Sequence, residues 1–189
     1  MYDVFGIWMD SGDRWVHHRM WKTRKGIHYE GAIHEYPTIG GFPCTVLDVV
    51  IKHDAEPGIV GETSNSRNLR ILLNEYSENP SSRTIFYLAN TYKDAGNYKE
   101  ASRYYKERIA IGEHYRDEWL FAYLYLARMQ RALNLIEDCE KTLLEALSKD
   151  PEWSEFWMEL AYIYYTSSKL TQCKSACLMA SSRQNKPTS

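Results

Sequence analysis

The chain has 189 residues, 44% of them hydrophobic and 25% charged, with 23 basic against 25 acidic side chains. That is enough to bury a core without disulfide or metal staples, as one large or two small domains. The near balance of charge excludes the basic field that nucleic acid or an anionic membrane surface needs, and no run of about 18 apolar residues offers a membrane span.

Val4 to Trp8 reads as a first strand. Asp10-Ser11-Gly12-Asp13 reads as the tight turn of a hairpin, because Gly12 tolerates positive φ and the Asp and Ser side chains can bond the turn backbone. Lys25-Gly26 turns the chain again before Ile27 to Glu35, and the β-branched run Thr45 to Lys52 is the best strand in the sequence. In an extended segment side chains alternate, so His28, Glu30, Ala32 and His34 share one face and Tyr29, Gly31, Ile33 and Glu35 the other. A histidine and glutamate at a strand end, before Pro37 and the Gly40-Gly41 loop, stand where sheet proteins present catalytic groups.

Beyond Pro57-Gly58 the period changes. Leu69, Leu72, Leu73 and Tyr76 predict a helix over 65 to 78, capped by Thr63 or Ser64 and stopped by Pro80. A repeat then takes over: Leu88-Ala89-x-x-Tyr92 with Ala101 and Tyr105, Leu126-Ala127 with Cys139, and Leu160-Ala161-x-x-Tyr164 with Cys173. Ala127 to Ala161 and Cys139 to Cys173 are each 34 residues, whereas Ala89 to Ala127 is 38, placing a four-residue insertion around Gly112 to Arg116. Paired helices approach closely only where a small residue sits at the crossing, so the pattern predicts stacked helical hairpins.

This repeat resembles the tetratricopeptide repeat, over about 82 to 115, 120 to 153 and 154 to 183, with Gln130 in place of a tyrosine and the helix at 65 to 78 as a cap. Cys139, Cys173 and Ala101 share one repeat position, so these cysteines read as small packing residues. The four cysteines include no Cys-x-x-Cys pair, and the chain reads as reduced and cytoplasmic. Trp153, Trp157, Tyr164, Tyr92 and Tyr98 could line a peptide groove, but most occupy interior repeat positions.

A second resemblance rests on Trp21-Lys22-Thr23-Arg24, Tyr29-Glu30-Gly31-Ala32-Ile33-His34-Glu35-Tyr36, Val50-Ile51-Lys52-His53 and Arg67-Asn68-Leu69. Together with the repeats these motifs resemble the C-terminal part of family 2 glycosyltransferases fused to tetratricopeptide repeats. That resemblance implies an α+β fold, with residues 1–57 as the tail of a GT-A catalytic domain, 58–80 a linker and capping helix, 81–183 the all-α repeats and 184–189 a disordered tail. It also implies an inverting transferase, part of a longer or truncated protein, using a nucleotide-diphosphate sugar, a glycan or protein acceptor, and a divalent Mn or Mg ion. Glu35 would then act on the acceptor side as catalytic base or hold His34, His34 or His53 would approach the metal, and Arg24 and Lys52 would contact phosphate. The competing reading is a non-catalytic repeat module that binds a partner polypeptide or associates with itself.

Overall fold

The computed structural model describes residues 3–10, 14–22, 26–33, 35–40, 43–52 and 63–183. The chain divides into two compact units, residues 1–71 and 72–189.

In the first unit, β1 (Val4–Asp10) and β2 (Arg14–Trp21) pair antiparallel from Asp10 opposite Arg14 to Val4 opposite Trp21. The expected hairpin therefore forms, with its tip, residues 11–13, outside the described residues. β5 (Cys44–Lys52) runs parallel to β1 along its other edge, giving the order β2-β1-β5. Val4, Ile7 and Met9 of the central strand are buried. Gly6 lies among them because a Cβ there would come 2.7 Å from Val16 Cγ1, so close strand approach selects the glycine. The β-branched run forms its strand as expected, yet Val46, Val49, Val50 and Ile51 are exposed. Two two-residue strands, β3 (Tyr29–Glu30) and β4 (Tyr36–Pro37), form a separate antiparallel ribbon.

Among the described residues seven helices follow. α1 (Ser64–Glu78) starts as the sequence predicts, with Thr63 Oγ1 accepting the Ser66 N–H at 3.1 Å, and ends just before Pro80. Its C-terminal half belongs to the second unit, where the edge of the Tyr76 ring meets Tyr104 of α3 and the Tyr76 hydroxyl donates to Glu107 at 2.8 Å. The repeats are three hairpins: α2 (Ser82–Asp94) with α3 (Tyr98–Ile111), α4 (Arg116–Ala132) with α5 (Ile136–Lys149), and α6 (Ser154–Thr166) with α7 (Leu170–Arg183). Each hairpin turns at one left-handed residue in the same register: Gly96, Asn134 and Ser168, with φ of 75°, 59° and 56°. Each turn closes in the same way, by N–H bonds from Asn97 to Tyr92, Leu135 to Gln130 and Lys169 to Tyr164. The small residues at the crossings, Ala89, Ala101, Ala127, Cys139 and Ala161, are all buried.

The insertion between the first two repeats has a physical cause. Where the later repeats place Ala146 and Ala180, the first places Arg108, whose side chain is fully buried. Its guanidinium donates to the carbonyls of Gly112, at 3.0 Å, and of His114 and Tyr115. The extra residues therefore wrap a loop around a buried cation and give its two terminal nitrogens backbone oxygens to donate to, while Nε is left without a partner. Burial lowers the Arg108 pKa, opposed by the nearby Glu118 charge.

Candidate functional site

Of the residues singled out in the first unit, Glu35 is exposed and lies just before β4. His34, Arg24 and His53 lie outside the described residues; Lys52 is the last residue of β5, and its side chain also lies outside them. The predicted extended run over 28–35 does not form: the strand stops at Glu30, Gly31 takes a positive φ of 98°, Ala32 and Ile33 bend, and the chain returns as β4, so only His28 and Glu30 share a face as expected. His28 Nε2 lies 3.3 Å from Glu30 Oε1, on the shared face. The neighbours of that pair tie the ribbon together: the Tyr36 hydroxyl donates to Glu30 at 2.9 Å, the Thr38 N–H to the His28 carbonyl at 2.9 Å, and the Tyr29 hydroxyl to the His18 carbonyl at 3.3 Å. Trp21 meets the Tyr29 ring edge-on at 5.3 Å. Among the described residues, no three His, Cys, Asp or Glu side chains converge as a metal site.

Four of the five aromatic residues considered for a groove pack against the interior instead. Tyr92 stacks on Tyr104, Trp153 packs against Phe121 and Phe156, and the Tyr164 hydroxyl donates to Glu140 at 2.9 Å. Trp157 Nε1 donates to the Pro151 carbonyl, and Tyr98 is exposed at the start of α3. Burial, then the Glu140 bond, pushes the Tyr164 hydroxyl up to about 12. Cys139 is buried, which pushes its thiol up to about 11, in line with a packing role; Cys173 is half-buried and Cys177 exposed.

A different set of side chains makes an ordered array across the first helices of the three hairpins. At the start of α2 and α4, Arg83 donates to Glu118 at 2.7 Å, and its guanidinium lies over the Tyr87 ring. At the end of α2, Lys93 Nζ sits 4.5 Å from the centroid of Tyr125 on α4. From α4, Arg128 donates to Glu159 of α6 at 2.6 Å, Arg131 approaches the other carboxylate oxygen at 3.5 Å, and its guanidinium covers Tyr162 at 4.4 Å. Cations on one helix thus lie over rings on the next, at about 0.5–1 kcal/mol each for partly exposed pairs. Two guanidinium groups share the single Glu159 carboxylate, so the α4/α6 end carries a local excess of positive charge beside Met158, Tyr162 and Tyr165, which are 50%, 50% and 67% exposed. Such a surface can receive carboxylates and apolar side chains together.

Sequence reasoning passed over this array, although the register holds it: Tyr87 and Tyr125 stand two residues before the crossing alanines Ala89 and Ala127, and Lys93, Arg131 and Tyr165 four residues after Ala89, Ala127 and Ala161.

Comparison with solved structures finds helical-repeat proteins. A crystal structure of MamA aligns with a TM-score of 0.56 at 14% identity, covering 66% of this chain and 77% of that one. A MamA double mutant aligns with a TM-score of 0.55 at 14% identity, covering 64% and 66%; this chain therefore spans just under two thirds of that protein. The Yersinia enterocolitica type III secretion translocator chaperone SycD aligns with a TM-score of 0.52 at 18% identity, covering 61% and 84%. At such identities the likeness establishes the fold. No protein-family model and no curated protein sequence matches the chain.

These findings overturn the glycosyltransferase reading. The aligned structures share the helical-repeat fold, and the described part of residues 3–52 is a three-stranded sheet with a two-stranded ribbon, not a recognisable GT-A domain. With that reading go the expected nucleotide-sugar donor, its acceptor and the assignment as an enzyme. The roles in sugar transfer drawn for Glu35, His34, His53, Arg24 and Lys52, and the divalent ion, depended on it and are not carried further. The helical-repeat half stands, and no helix among the described residues is long and apolar enough to cross a membrane.

Proposed function

We propose that the chain is a non-catalytic, tetratricopeptide-like module that binds a partner polypeptide along the shared face of α2, α4 and α6. The observation that carries this is the α4/α6 end of that face: Arg128 and Arg131 gathered on one carboxylate, next to the exposed Tyr162 and Tyr165. Arginine and tyrosine are the side chains that most often dominate binding energy at protein interfaces, and here Arg128, Arg131 and Tyr162 are held in place by one another and by Glu159. A fold shared with a translocator chaperone supports a binding role. The partner segment is one that presents acidic and apolar side chains in succession.

Selection from a random twelve-residue peptide library on the full chain tests this. Selected peptides should pair Asp or Glu with aromatic or aliphatic residues, and Arg131→Glu should weaken their binding by about tenfold or more, or ~1.4 kcal/mol. No enrichment, or binding indifferent to Arg128→Glu and Arg131→Glu, would contradict the proposal.

A further inference from the structure

The seam at α3, α4 and α5 departs from the one a hairpin further on. Counted from the crossing residues, Lys106 of α3, Gln130 of α4, and Thr142 and Glu145 of α5 stand where the later seam has Leu144, Tyr164, Ala176 and Met179. There the Tyr164 ring packs against the core and its hydroxyl donates to Glu140. Here a glutamine replaces the ring, and a cleft of about 230 Å³ opens between the three helices. Its size suits one small molecule, below the range of drug-sized ligands.

The cleft has a buried floor and a charged mouth. Tyr123, Leu126 and Thr142 line the floor with Gln130, which is 4% exposed and whose Oε1 has no hydrogen-bond partner. A buried acceptor left unpaired is costly, and a donor entering the cleft removes that cost. The last side-chain torsion of glutamine is soft, so the amide can turn its oxygen to such a donor. At the mouth stand the exposed Lys106, Lys141, Asp138 and Glu145, two charges of each sign. Glu145 already accepts the Tyr123 hydroxyl at 2.8 Å, whereas Lys106 makes no ion pair among the described residues.

We propose that this cleft binds a free aromatic amino acid whose ring carries a hydrogen-bond donor, with tyrosine as the match to the ring the repeat lacks here. The ring lies over Leu126 and Tyr123, and its hydroxyl donates to Gln130 Oε1. The α-carboxylate meets Lys106 and the α-ammonium meets Asp138, so a zwitterion answers a mouth that carries both signs. No residue of the cleft belongs to the α2/α4/α6 face, so this site stands or falls independently of peptide binding there.

The probe is L-tyrosine, titrated below its solubility limit into the full chain labelled with nitrogen-15 and followed by nuclear magnetic resonance. Saturable shifts of the Gln130 side-chain amide and of the backbone amides around Lys106 and Lys141 are expected, with a Kd of about 1 mM or tighter. Phenylalanine, which lacks the ring donor, and tyramine, which lacks the carboxylate, should each bind about tenfold more weakly. Lys106→Glu, at an exposed position, should weaken tyrosine about tenfold and leave tyramine no weaker. Gln130→Tyr, whose own ring fills the cleft, should abolish binding with the circular dichroism of the folded chain retained. Absence of saturable shifts, which would leave the cleft to water alone, overturns the proposal. So does equal affinity for tyrosine, phenylalanine and tyramine, or undiminished tyrosine binding to Lys106→Glu or to folded Gln130→Tyr.

Discussion

The two units of this chain solve the burial problem in different ways. The helical unit repeats one local solution: each hairpin puts a small residue at its crossing and offers its apolar groove to the next, so Leu143, Phe156 and Leu160 are all but inaccessible. Among the described residues the strand unit has a three-stranded sheet and a two-stranded ribbon, with no repeat to cover them. Its central strand buries Val4, Ile7 and Met9, while the parallel edge strand leaves Val46, Val49, Val50 and Ile51 in contact with solvent. Stability in the first case is distributed along the sequence; in the second it is concentrated in one strand.

That contrast can be broken by mutation. The largest effect is expected in the helical core: Leu143→Ala should cost about 3–4 kcal/mol in denaturant unfolding, against less than about 0.5 kcal/mol for Val50→Ala on the exposed strand. Equal costs would show that the strand is covered in solution. Next comes Arg108→Ala, which removes the donors that hold the Gly112, His114 and Tyr115 carbonyls and leaves a void. A loss of about 2–4 kcal/mol is expected, with hydrogen exchange rising in the loop at 112–115 before the rest of α3 and α4.

A pH titration gives a graded effect confined to the helical unit. Tyr105, Tyr123 and Tyr164 all have hydroxyl pKa values raised above 10, first by burial. The unfolded chain therefore gives up these protons at lower pH than the folded one. Their contribution to stability is complete below pH 10 and is lost as the pH rises from 10 towards 12 and beyond, Tyr164 titrating at about 12. Unfolding monitored at pH 9, 10 and 11 should show a falling midpoint; a flat profile would mean the three hydroxyls are not held in the folded state.

The smallest effect is a gain. Gln130 is buried, its Oε1 has no hydrogen-bond partner, and it lines a cleft of about 230 Å³ with Lys106, Tyr123 and Lys141. Gln130→Tyr, restoring the residue type of Tyr92 and Tyr164, should raise stability by about 1 kcal/mol if the ring fills the cleft.

The helical half was legible because its determinants are local and periodic. The 34-residue spacing, the small crossing residues, the Thr63 cap and the stop at Pro80 each act within a few residues, so reading them required no knowledge of distant contacts. The 38-residue spacing between Ala89 and Ala127 located the insertion but not its cause, because nothing in a linear reading shows that Arg108 would enter the core at an alanine position. The candidate face was less legible. The tyrosines and tryptophans conspicuous in the sequence mostly occupy interior positions, while Arg128, Arg131, Tyr162 and Tyr165 stand one and four residues after the crossing alanines and acquire meaning only once neighbouring hairpins bring them together. In the strand unit, short motifs around His34 and Glu35 carried a family resemblance that structural comparison did not support. A handful of residues in a segment without periodicity constrains neither fold nor chemistry.

The central claim is that the α2/α4/α6 face binds a polypeptide. Hydrogen exchange of the full chain, with and without a saturating library-selected peptide, tests it most directly. Protection concentrated on α4 and α6 around Arg128, Arg131 and Tyr162, and extending to α2, is the predicted result. Protection confined to the strands at 4–10 and 44–52, or absent throughout, would contradict it.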